Sequence, residues 1–532
     1  MQRAPQHDLR LGGVADARLR LRAARSAHDG APAWGSVSVA ADLVLGLDIG
    51  TSSVKSILVS ADGEVEAVAS KPLSLQTPEP GWAEQDPEAW WTASGGTIRE
   101  LLVQRPRARV AAVGISGQMH SSVFLDKTGA VIRPALLWCD GRTTAECREI
   151  EQRAGGEEHL RAWVCNAALE GFTLPKVLWL RNREPAAFAR LATVLLAKDF
   201  VRLRLTGVMA TEPSDASGTL MFDPAHLRWS REMLDAVGLS PALLPDVGAS
   251  AGVLGRVSDS AAKLTGLPSG TPVVGGGADN ACAAAGVGAV TPGEAVASWG
   301  TSGTVLAPTV EPRVDPKLRA HTFCHVAPGV WYVIGVVLSA GGAFAWFRDQ
   351  CARELPEQKR DDMLVDEARG IAPGAEGVTF LPYLQGERTP HRDASLRAAF
   401  TGLSLAHSRA HMTRAVLEGV CFALRDSVMI LKDLDLMPSS LLLTGGGAKS
   451  AFIRQLLADI FGVPVTTVNR EEGGAYGAAL LAAVGAGAFM DLKTAVQRTL
   501  TRQPLTPPNP QTQRTYEQIY DRFRARLGAA RV

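Results

Sequence analysis

The sequence predicts an α/β fold with more than one domain. Apolar strands alternate with helical segments from residue 43 onward, which is the pattern of sheets with helices packed on their faces. Several strands end in glycine-rich polar turns, and ligand sites in such sheets lie at the carboxyl ends of the strands. The chain has 532 residues, enough for two domains that each bury a core of their own.

The first predicted element, residues 43–63, is the most informative segment. It reads as an apolar strand, a polar turn and a second apolar strand, and its polar residues are Asp48, Gly50, Thr51, Ser52 and Ser53. Glycine lets backbone N–H groups approach a ligand and hydroxyls add donors, so such a turn can hold phosphate oxygens. A carboxylate at its start is placed to meet a metal ion that accompanies the phosphate.

The rest of the first half continues the alternation of strands and helices. The predicted elements are a strand at 110–116 with the polar turn 117–120, a strand at 135–137, a strand and then a helix within 189–205, and a short strand at 272–277 before a helix from about Asn280. Each strand runs into small or polar residues, so each turn is a candidate ligand contact.

The second half opens with another strand, turn and strand at 294–307. Its turn, at 297–304, has a sequence similar to that of the first turn. Two such turns suggest two related halves that bind one nucleotide between them. The later predicted elements are a strand at 331–338, a helix at 413–431, a strand running into the glycines at 445–447, a strand at 463–468, an alanine-rich helix after Gly473 and a final helix at 516–527. We place the domain boundary near residue 290, with domains at 42–290 and 291–532 and a disordered or weakly helical extension at 1–41.

Composition excludes several classes of function. The 55 basic and 54 acidic residues give no electrostatic case for binding nucleic acid or an anionic membrane. The uncharged stretches 330–347 and 473–490 contain glycines and are interpreted as buried elements, not as membrane spans. Seven scattered cysteines with no CxxC pair indicate a reducing, cytoplasmic location. The oligomeric state stays open, with a homodimer as one alternative.

Three polar groups are candidates for chemistry. Asp279 follows a run of glycines and begins a helix, where its side chain is either an N-cap or a carboxylate that accepts a proton from a hydroxyl nucleophile. His120 is either a core histidine or a polyol contact in a polar turn. The cluster of Trp138, Asp140 and Arg142 is either an ordinary capped turn or the aromatic and charged wall of a sugar site. Neither a GxxxxGK[ST] string nor a complete dinucleotide fingerprint is present.

These motifs together resemble the FGGY family of carbohydrate kinases, with the xylulokinases as the most similar subgroup. The resemblance covers residues 43–530 and rests on motifs in order: Asp48-Ile-Gly-Thr-Ser-Ser-Val-Lys55, Gly114-Ile-Ser-Gly-Gln-Met-His120, Gly276-Gly-Ala-Asp-Asn280, Ser298-Trp-Gly-Thr-Ser302 and Thr444-Gly-Gly-Gly-Ala-Lys-Ser450. It implies two actin-like domains of the ribonuclease-H type with an ATP cleft between them. It also implies phosphorylation of D-xylulose with ATP and Mg²⁺.

The resemblance also assigns roles to particular residues. It implies that Asp279 is the general base on the sugar 5-hydroxyl and that Asp48 acts through Mg²⁺, by way of water. The implied sugar contacts are Met119, His120, Trp138, Asp140 and Asn280. The implied ATP contacts are Thr51, Ser52, Ser53, Lys55, Gly300, Thr301, Gly445, Gly446, Gly447 and Lys449.

Two residues near the implied sugar site depart from the pattern of the subgroup. Ser121 and Cys165 stand where glycine is usual, so these two positions bear on which sugar binds and not on the kinase chemistry. L-ribulose, erythritol or another polyol is the alternative substrate. An actin-like ATPase switch without a sugar substrate is the alternative of a different class.

Overall fold

The computed structural model describes residues 42–531, so the extension predicted at 1–41 lies outside the described residues. The strands are β1 (Asp42–Ile49), β2 (Ser53–Ser60), β3 (Val65–Pro72), β4 (Glu84–Gln85), β5 (Arg109–Gly117), β6 (Val123–Leu125), β7 (Ala135–Leu136), β8 (Thr193–Leu195), β9 (Ala210–Thr211), β10 (Phe222–Asp223), β11 (Arg228–Trp229), β12 (Asp246–Val247), β13 (Val253–Arg256), β14 (Pro272–Val274), β15 (Gly277–Ala278), β16 (Glu294–Trp299), β17 (Gly303–Thr309), β18 (His321–Cys324), β19 (Trp331–Val337), β20 (Thr379–Leu381), β21 (Ala399–Thr401), β22 (Ser440–Gly445) and β23 (Val465–Thr466).

The α-helices connect and cover these strands. They are α1 (Pro87–Gln104), α2 (Thr144–Ala154), α3 (Glu157–Val164), α4 (Thr173–Arg183), α5 (Pro185–Phe188), α6 (Ala197–Thr206), α7 (Pro213–Ala216), α8 (Arg231–Val237), α9 (Asp259–Thr265), α10 (Asp279–Gly286), α11 (Gly341–Cys351), α12 (Arg360–Arg369), α13 (Arg409–Asp433), α14 (Ala451–Phe461), α15 (Gly473–Gly485), α16 (Leu492–Thr499) and α17 (Pro510–Ala525).

Two large sheets share one order for five of their strands. In the first sheet the order is β13-β14-β5-β1-β2-β3, with β15 also paired to β5, and in the second it is β18-β19-β17-β16-β22-β23. In each, an antiparallel meander of three strands is extended by two parallel strands on the side of its first member. The sixth strand is antiparallel in both sheets but lies at opposite edges, since β13 pairs with β14 and β18 pairs with β19. The two halves are therefore related in topology, as the two similar turns predicted.

The equivalent turns occupy equivalent positions in the two sheets. The turn between β1 and β2 is closed by a bond from Gly50 N–H to Ser53 O, and the turn between β16 and β17 by one from Gly300 N–H to Ser302 O. Asp48 lies one residue before the end of β1, where β16 has Ser298. The repeat thus provides two similar turns, and only the first carries a carboxylate at this position.

Each half has its own apolar core, and a third core joins them. One cluster of buried residues lies wholly within 43–273, another lies within 295–530, and the third includes residues of both halves. Helix α15 contributes to the shared core because it packs on the first sheet, although in the sequence it comes after the strands of the second sheet. A Cβ at Gly114 of β5 would lie only 2.0 Å from Ala478 O, so glycine is required for this approach.

Most predicted elements are found, with altered ends. The final helix begins at Pro510, not at 516, because proline fits the first helical position and Asn509 caps it. The strand predicted at 463–468 is reduced to β23, since Val468 makes only an isolated bridge. The uncharged stretch 330–347 forms β19 and the start of α11, and no helix within residues 42–531 is long and apolar enough to span a membrane.

Candidate functional site

A cleft of about 210 Å³ lies between the two sheets. It is lined by Asp48, Asp279, Asn280, Ala283, Ala284, Val296, Ser298, Thr304, Leu306, Thr444 and Gly474. These residues come from strands β1, β16, β17 and β22 and from helices α10 and α15, and Asp48, Ser298 and Thr444 lie near the ends of their strands. Strand ends of both halves therefore meet at one place, and two of the candidate carboxylates face the same space.

Asp279 begins α10, immediately after the short strand β15. The N-cap of this helix is Ala278, so the alternative in which Asp279 is the N-cap is wrong. The Ala278 N–H donates to Ser214 Oγ at 2.9 Å, and the Ser214 hydroxyl in turn donates to Glu212 Oε1 at 2.7 Å. Ser214 and Glu212 are fully buried, so they fix the backbone that presents Asp279 to the cleft.

The surroundings of Asp279 raise the pKa of its carboxyl group to about 7. The largest cause is removal of the carboxylate from water, and the negative charge of Asp48 adds to it. The Asn280 main-chain and side-chain N–H groups donate to Oδ1 at 2.7 and 3.0 Å and act in the opposite direction. A carboxylate with a pKa near neutral pH is suited to take and release a proton.

Asp48 lies where the first sheet meets the second half of the chain. Its Oδ1 atom is shielded from solvent, and within residues 42–531 no donor meets it in hydrogen-bond geometry, although the Ser116 hydroxyl lies close enough to stabilise the carboxylate. Burial raises the pKa of Asp48, while Ser116 and Lys55 lower it. A Cβ on Gly474 would lie 3.0 Å from that oxygen, so the first turn of α15 directly adjoins it. An unpartnered carboxylate oxygen beside a phosphate-type turn fits a hydrated divalent cation.

The first turn is supported from behind by side chains of the first half. The Trp138 indole N–H donates to Thr51 Oγ1 at 2.9 Å, and the Thr51 hydroxyl lies 3.3 Å from Gln118 Oε1. The Gln85 amide donates to Thr51 O at 2.6 Å. With the carbonyl and hydroxyl of Thr51 held in this way, the neighbouring Ser52 remains exposed at the tip of the turn.

The second turn is held by the start of α11. The N–H groups of Gly341 and Gly342 donate to Gly300 O and Thr301 O at 2.8 and 2.9 Å. Both carbonyls are thereby engaged on the helix side, while Gly300 and Thr301 are exposed. The predicted phosphate contacts of this turn therefore lie on an accessible surface.

The glycine run after β22 packs against the same turn. A Cβ at Gly445 would lie 2.4 Å from Trp299 O, and one at Gly447 would lie 2.5 Å from the Trp299 ring. Gly446, in contrast, has open space around it, with no heavy atom within 4 Å of a Cβ built there. The run thus combines close packing with one open position that a ligand can approach. Lys449 is exposed and forms an ion pair with Glu471 at 2.9 Å.

His120 and Met119 are buried beside Asn280, the neighbour of Asp279. The Met119 sulfur lies 3.6 Å from Asn280 Nδ2. Nδ1 of His120 is hydrogen-bonded to Gly218 O, and because a carbonyl only accepts, Nδ1 carries the proton and Nε2 is an acceptor. Desolvation lowers the pKa of His120 to about 3, so the ring is neutral. A neutral acceptor suits a sugar hydroxyl.

Asp140 and Lys55 differ in how they are engaged. Both carboxylate oxygens of the buried Asp140 are occupied, by the Ala83 N–H at 2.6 Å and by the guanidinium and main-chain N–H of Arg142. Asp140 therefore supports the wall that carries Trp138, and its direct contact with sugar stays a prediction. Lys55 pairs across the hairpin with Asp48 and adds positive charge beside it.

Sequence reasoning missed several supporting residues. Gln85, Glu212 and the buried Lys176 lie far along the chain from the groups they hold, so no local pattern marks them. Ser214 begins the segment Ser214-Asp-Ala-Ser-Gly-Thr219, which also resembles the xylulokinase subgroup, but that resemblance gave it no role. Lys176 donates to His120 O and Gly171 O at 3.0 and 2.7 Å. Ser116 lies within a quoted motif and pairs in register with Asp48, and that position is the only signal that could have identified it.

Family models match both halves of the chain. The model of the N-terminal domain of the FGGY family of carbohydrate kinases matches residues 43–286, and that of the C-terminal domain matches residues 295–486. The two matched regions contain the two large sheets.

Individual relatives agree with this match. A xylulose kinase of Bacillus subtilis is 38% identical over 483 residues, which is 90% of this chain and 96% of that protein. A xylulose kinase of Lactococcus lactis is 40% identical over 482 residues, which is 90% of this chain and 95% of that protein. The crystal structure of a "xyloylose kinase" from Brucella ovis superposes with a TM-score of 0.84 at 35% identity, covering 92% of this chain and 99% of that one.

Proposed function

The chain belongs to the FGGY family of carbohydrate kinases, and we propose that it transfers the γ-phosphoryl group of ATP to the 5-hydroxyl of D-xylulose. Its two-domain actin-like fold is that of the family, which confirms the predicted fold class. It is an ATP-dependent sugar kinase, and D-xylulose is the finer part of the proposal. That part is supported by the relatives named xylulose kinase, which match most of this chain.

The observation that carries the chemistry is the position of Asp279. Its carboxyl group, with a pKa of about 7, faces the cleft between the two sheets. In the proposed reaction Asp279 takes the proton of the 5-hydroxyl as the oxygen attacks the γ-phosphorus. A new O–P bond forms, the bond to the bridging β,γ-oxygen breaks, and ADP leaves with the electron pair. The proton remains on Asp279 until it is released to solvent.

The two turns are the proposed phosphate contacts. The proposed contacts in the first turn are Thr51, Ser52, Ser53 and Lys55, and those in the second are Gly300 and Thr301. Gly445, Gly446, Gly447 and Lys449 are the proposed contacts of the adenosine end, supported by the open space around Gly446. We propose 42–290 and 291–532 as the two domains, since each contains one of the large sheets.

Mg²⁺ fits the donors at the first turn. Asp48 offers a buried carboxylate oxygen without a hydrogen bond, and Mg²⁺ is usually held by one or two carboxylates together with substrate phosphates and water. When bound there, it would neutralise charge on the transferring phosphates. Closure of the cleft around both substrates would exclude water, so that the sugar hydroxyl and not water attacks.

A panel of sugars tests the substrate. ADP formation is measured with D-xylulose, L-ribulose, erythritol, glycerol and D-gluconate at equal concentrations, and with no sugar. We expect the highest kcat/KM with D-xylulose and little ADP without sugar. If another sugar gives a higher kcat/KM, that sugar replaces D-xylulose as the proposed substrate. Rapid ATP hydrolysis without any sugar would favour the alternative of an actin-like ATPase switch.

A further inference from the structure

Arg388 carries a guanidinium group without a protein partner. Within residues 42–531 only its main-chain groups are hydrogen-bonded: the N–H donates to Glu387 Oε1 at 2.8 Å and the carbonyl accepts from the Arg392 N–H at 2.6 Å. No carboxylate among these residues lies within ion-pair distance of the side chain. Other enclosed arginines have such partners: Arg142 pairs with Asp140, Arg202 with Asp199, and Arg414 with Glu418. Arg388 is half-buried, and its five N–H donors stay unsatisfied by protein.

The backbone that carries Arg388 is fixed to the second sheet. Glu387 Oε1 accepts from the Leu338 N–H at 2.9 Å. Thr389 donates its N–H to Val336 O at 3.0 Å and accepts from the Val336 N–H at 2.9 Å. The residues on both sides of Arg388 are thus bound to the end of β19, so its side chain is presented from a rigid base.

The guanidinium itself lies against the first half of the chain. A Cβ built at Gly171 would lie 3.1 Å from Arg388 Nη2 and 2.7 Å from Trp138 O. Gly171 therefore leaves room for Arg388 beside the backbone of Trp138, which is a predicted sugar contact. The positive charge of Arg388 is among the causes that lower the pKa of His120, another predicted sugar contact.

A series of neighbouring contacts leads from Asp279 to Arg388. Asn280 adjoins Asp279 and reaches the Met119 sulfur, His120 follows Met119, and Lys176 joins His120 O to Gly171 O. Arg388 adjoins Gly171 and is the last residue of this series. Asp48, in contrast, acts directly on the pKa of Asp279, and Arg388 is not among the groups that do. A pentulose that has its 5-hydroxyl at Asp279 and lies along this series would direct its C1 and C2 oxygens toward Arg388.

We propose that Arg388 is a sugar-binding residue, supplied by the second half of the chain, that donates hydrogen bonds to the C1 and C2 oxygens of a neutral ketose. This rests on the proposed function. A half-buried guanidinium whose N–H groups have no protein acceptor can donate them to a ligand rich in oxygen atoms. Because Thr389, next to Arg388, is hydrogen-bonded to β19 of the second half and Gly171 belongs to the first half, the bound sugar would also link the two halves.

The test combines a change in the protein with a change in the sugar. The variants are Arg388→Met and Arg388→Lys, and the sugars are D-xylulose and 1-deoxy-D-xylulose, which lacks the C1 hydroxyl. For Arg388→Met we expect the KM for D-xylulose to rise about 10- to 100-fold, the range of a hydrogen bond to a charged group. We expect the wild-type preference for D-xylulose over its 1-deoxy analogue to shrink to about twofold or less in this variant. The KM of Arg388→Lys should lie between those of wild type and Arg388→Met, because lysine keeps the positive charge and lacks the planar set of guanidinium N–H donors.

Two further measurements separate binding from a structural role. The KM for ATP and the Tm of Arg388→Met should stay near wild-type values, since no protein partner is lost. Arg392→Met is the matched control: it lies on the same loop, pairs with Glu157 at 2.7 Å at the surface, and should change the sugar KM less than about twofold.

Each outcome bears on the proposal. The proposal is overturned if Arg388→Met has the wild-type KM for D-xylulose and the wild-type preference for D-xylulose over its 1-deoxy analogue. It is also overturned if the KM rises with D-gluconate alone, because Arg388 would then bind a carboxylate. If L-ribulose proves to be the substrate, the same comparison is made with it, and the D-xylulose assignment fails while Arg388 is judged independently. If no sugar stimulates ADP formation or binds in calorimetry, both proposals fall.

Discussion

The Trp138 indole N–H donates to Thr51 Oγ1 at 2.9 Å, joining the wall of the proposed sugar pocket to the proposed phosphate turn. Replacing Trp138 with Phe keeps an aromatic wall and removes the donor. We expect kcat/KM to fall about 2- to 10-fold for both sugar and ATP, the worth of one neutral hydrogen bond. Steady-state kinetics with each substrate varied would measure this, with Trp163→Phe as the remote control. An effect on the sugar alone would contradict the link.

Asp279→Asn tests the proton acceptor. The amide has nearly the shape of the carboxyl group and cannot take the proton, so we expect turnover to fall about 10²- to 10⁴-fold. Sugar affinity, measured by calorimetry, should change far less. Asp235→Asn, an exposed residue of α8, is the control. Near-normal turnover in a folded Asp279→Asn enzyme would rule Asp279 out as the base.

The pKa of Asp279 predicts the acid side of the pH profile. The base must be ionised, and its pKa is raised to about 7, so below that pH an increasing share of the enzyme is protonated and inactive. We expect kcat/KM for the sugar to fall about tenfold per pH unit below about pH 7. An acid limb near pH 4, the ordinary range of an aspartate, would contradict the raised pKa.

Two neighbours should shift this limb in opposite directions. Asp48→Asn removes a negative charge that raises the pKa of Asp279, so the limb should move to lower pH. Asn280→Ala removes a donor to the ionised carboxylate, so the limb should move to higher pH. Both variants should turn over more slowly than wild type. The measurement is therefore the pH at which the remaining activity of each variant falls on the acid side. Shifts in the same direction would show that the limb belongs to another group.

The contact between α15 and the first sheet predicts a stability effect far from the chemistry. Ala at Gly114 would bring a methyl group to 2.0 Å from Ala478 O, which is backbone and cannot rotate away. We expect the free energy of unfolding to fall by at least about 1–3 kcal/mol, the usual cost of overpacking. Denaturant titration would measure it. Gly528→Ala, which has open space around its Cβ position, should leave stability within about 0.5 kcal/mol.

Local patterns in the sequence predicted most of the central elements. Alternating apolar runs identified β1, β2, β5, β16 and β17, and the period-four apolar spacing identified α13, because each pattern depends only on neighbours along the chain. The ends were less accurate where a cap or an isolated bridge decided them, as at Pro510 and Val468. Asp48, Asp279 and Asn280 were identified before the fold was known and line the same cleft.

The sequence by itself determined the α/β class, the two similar turns and the residue types that suit phosphoryl transfer, since these follow from periodicity and from the chemistry of single side chains. Only the tertiary structure decided which partners those side chains have. It engages both oxygens of Asp140, brings the charge of Asp48 close enough to raise the pKa of Asp279, and leaves Arg388 unpaired beside Gly171. Such contacts join residues tens to hundreds of positions apart, and burial sets their strength, so no local pattern in the chain encodes them.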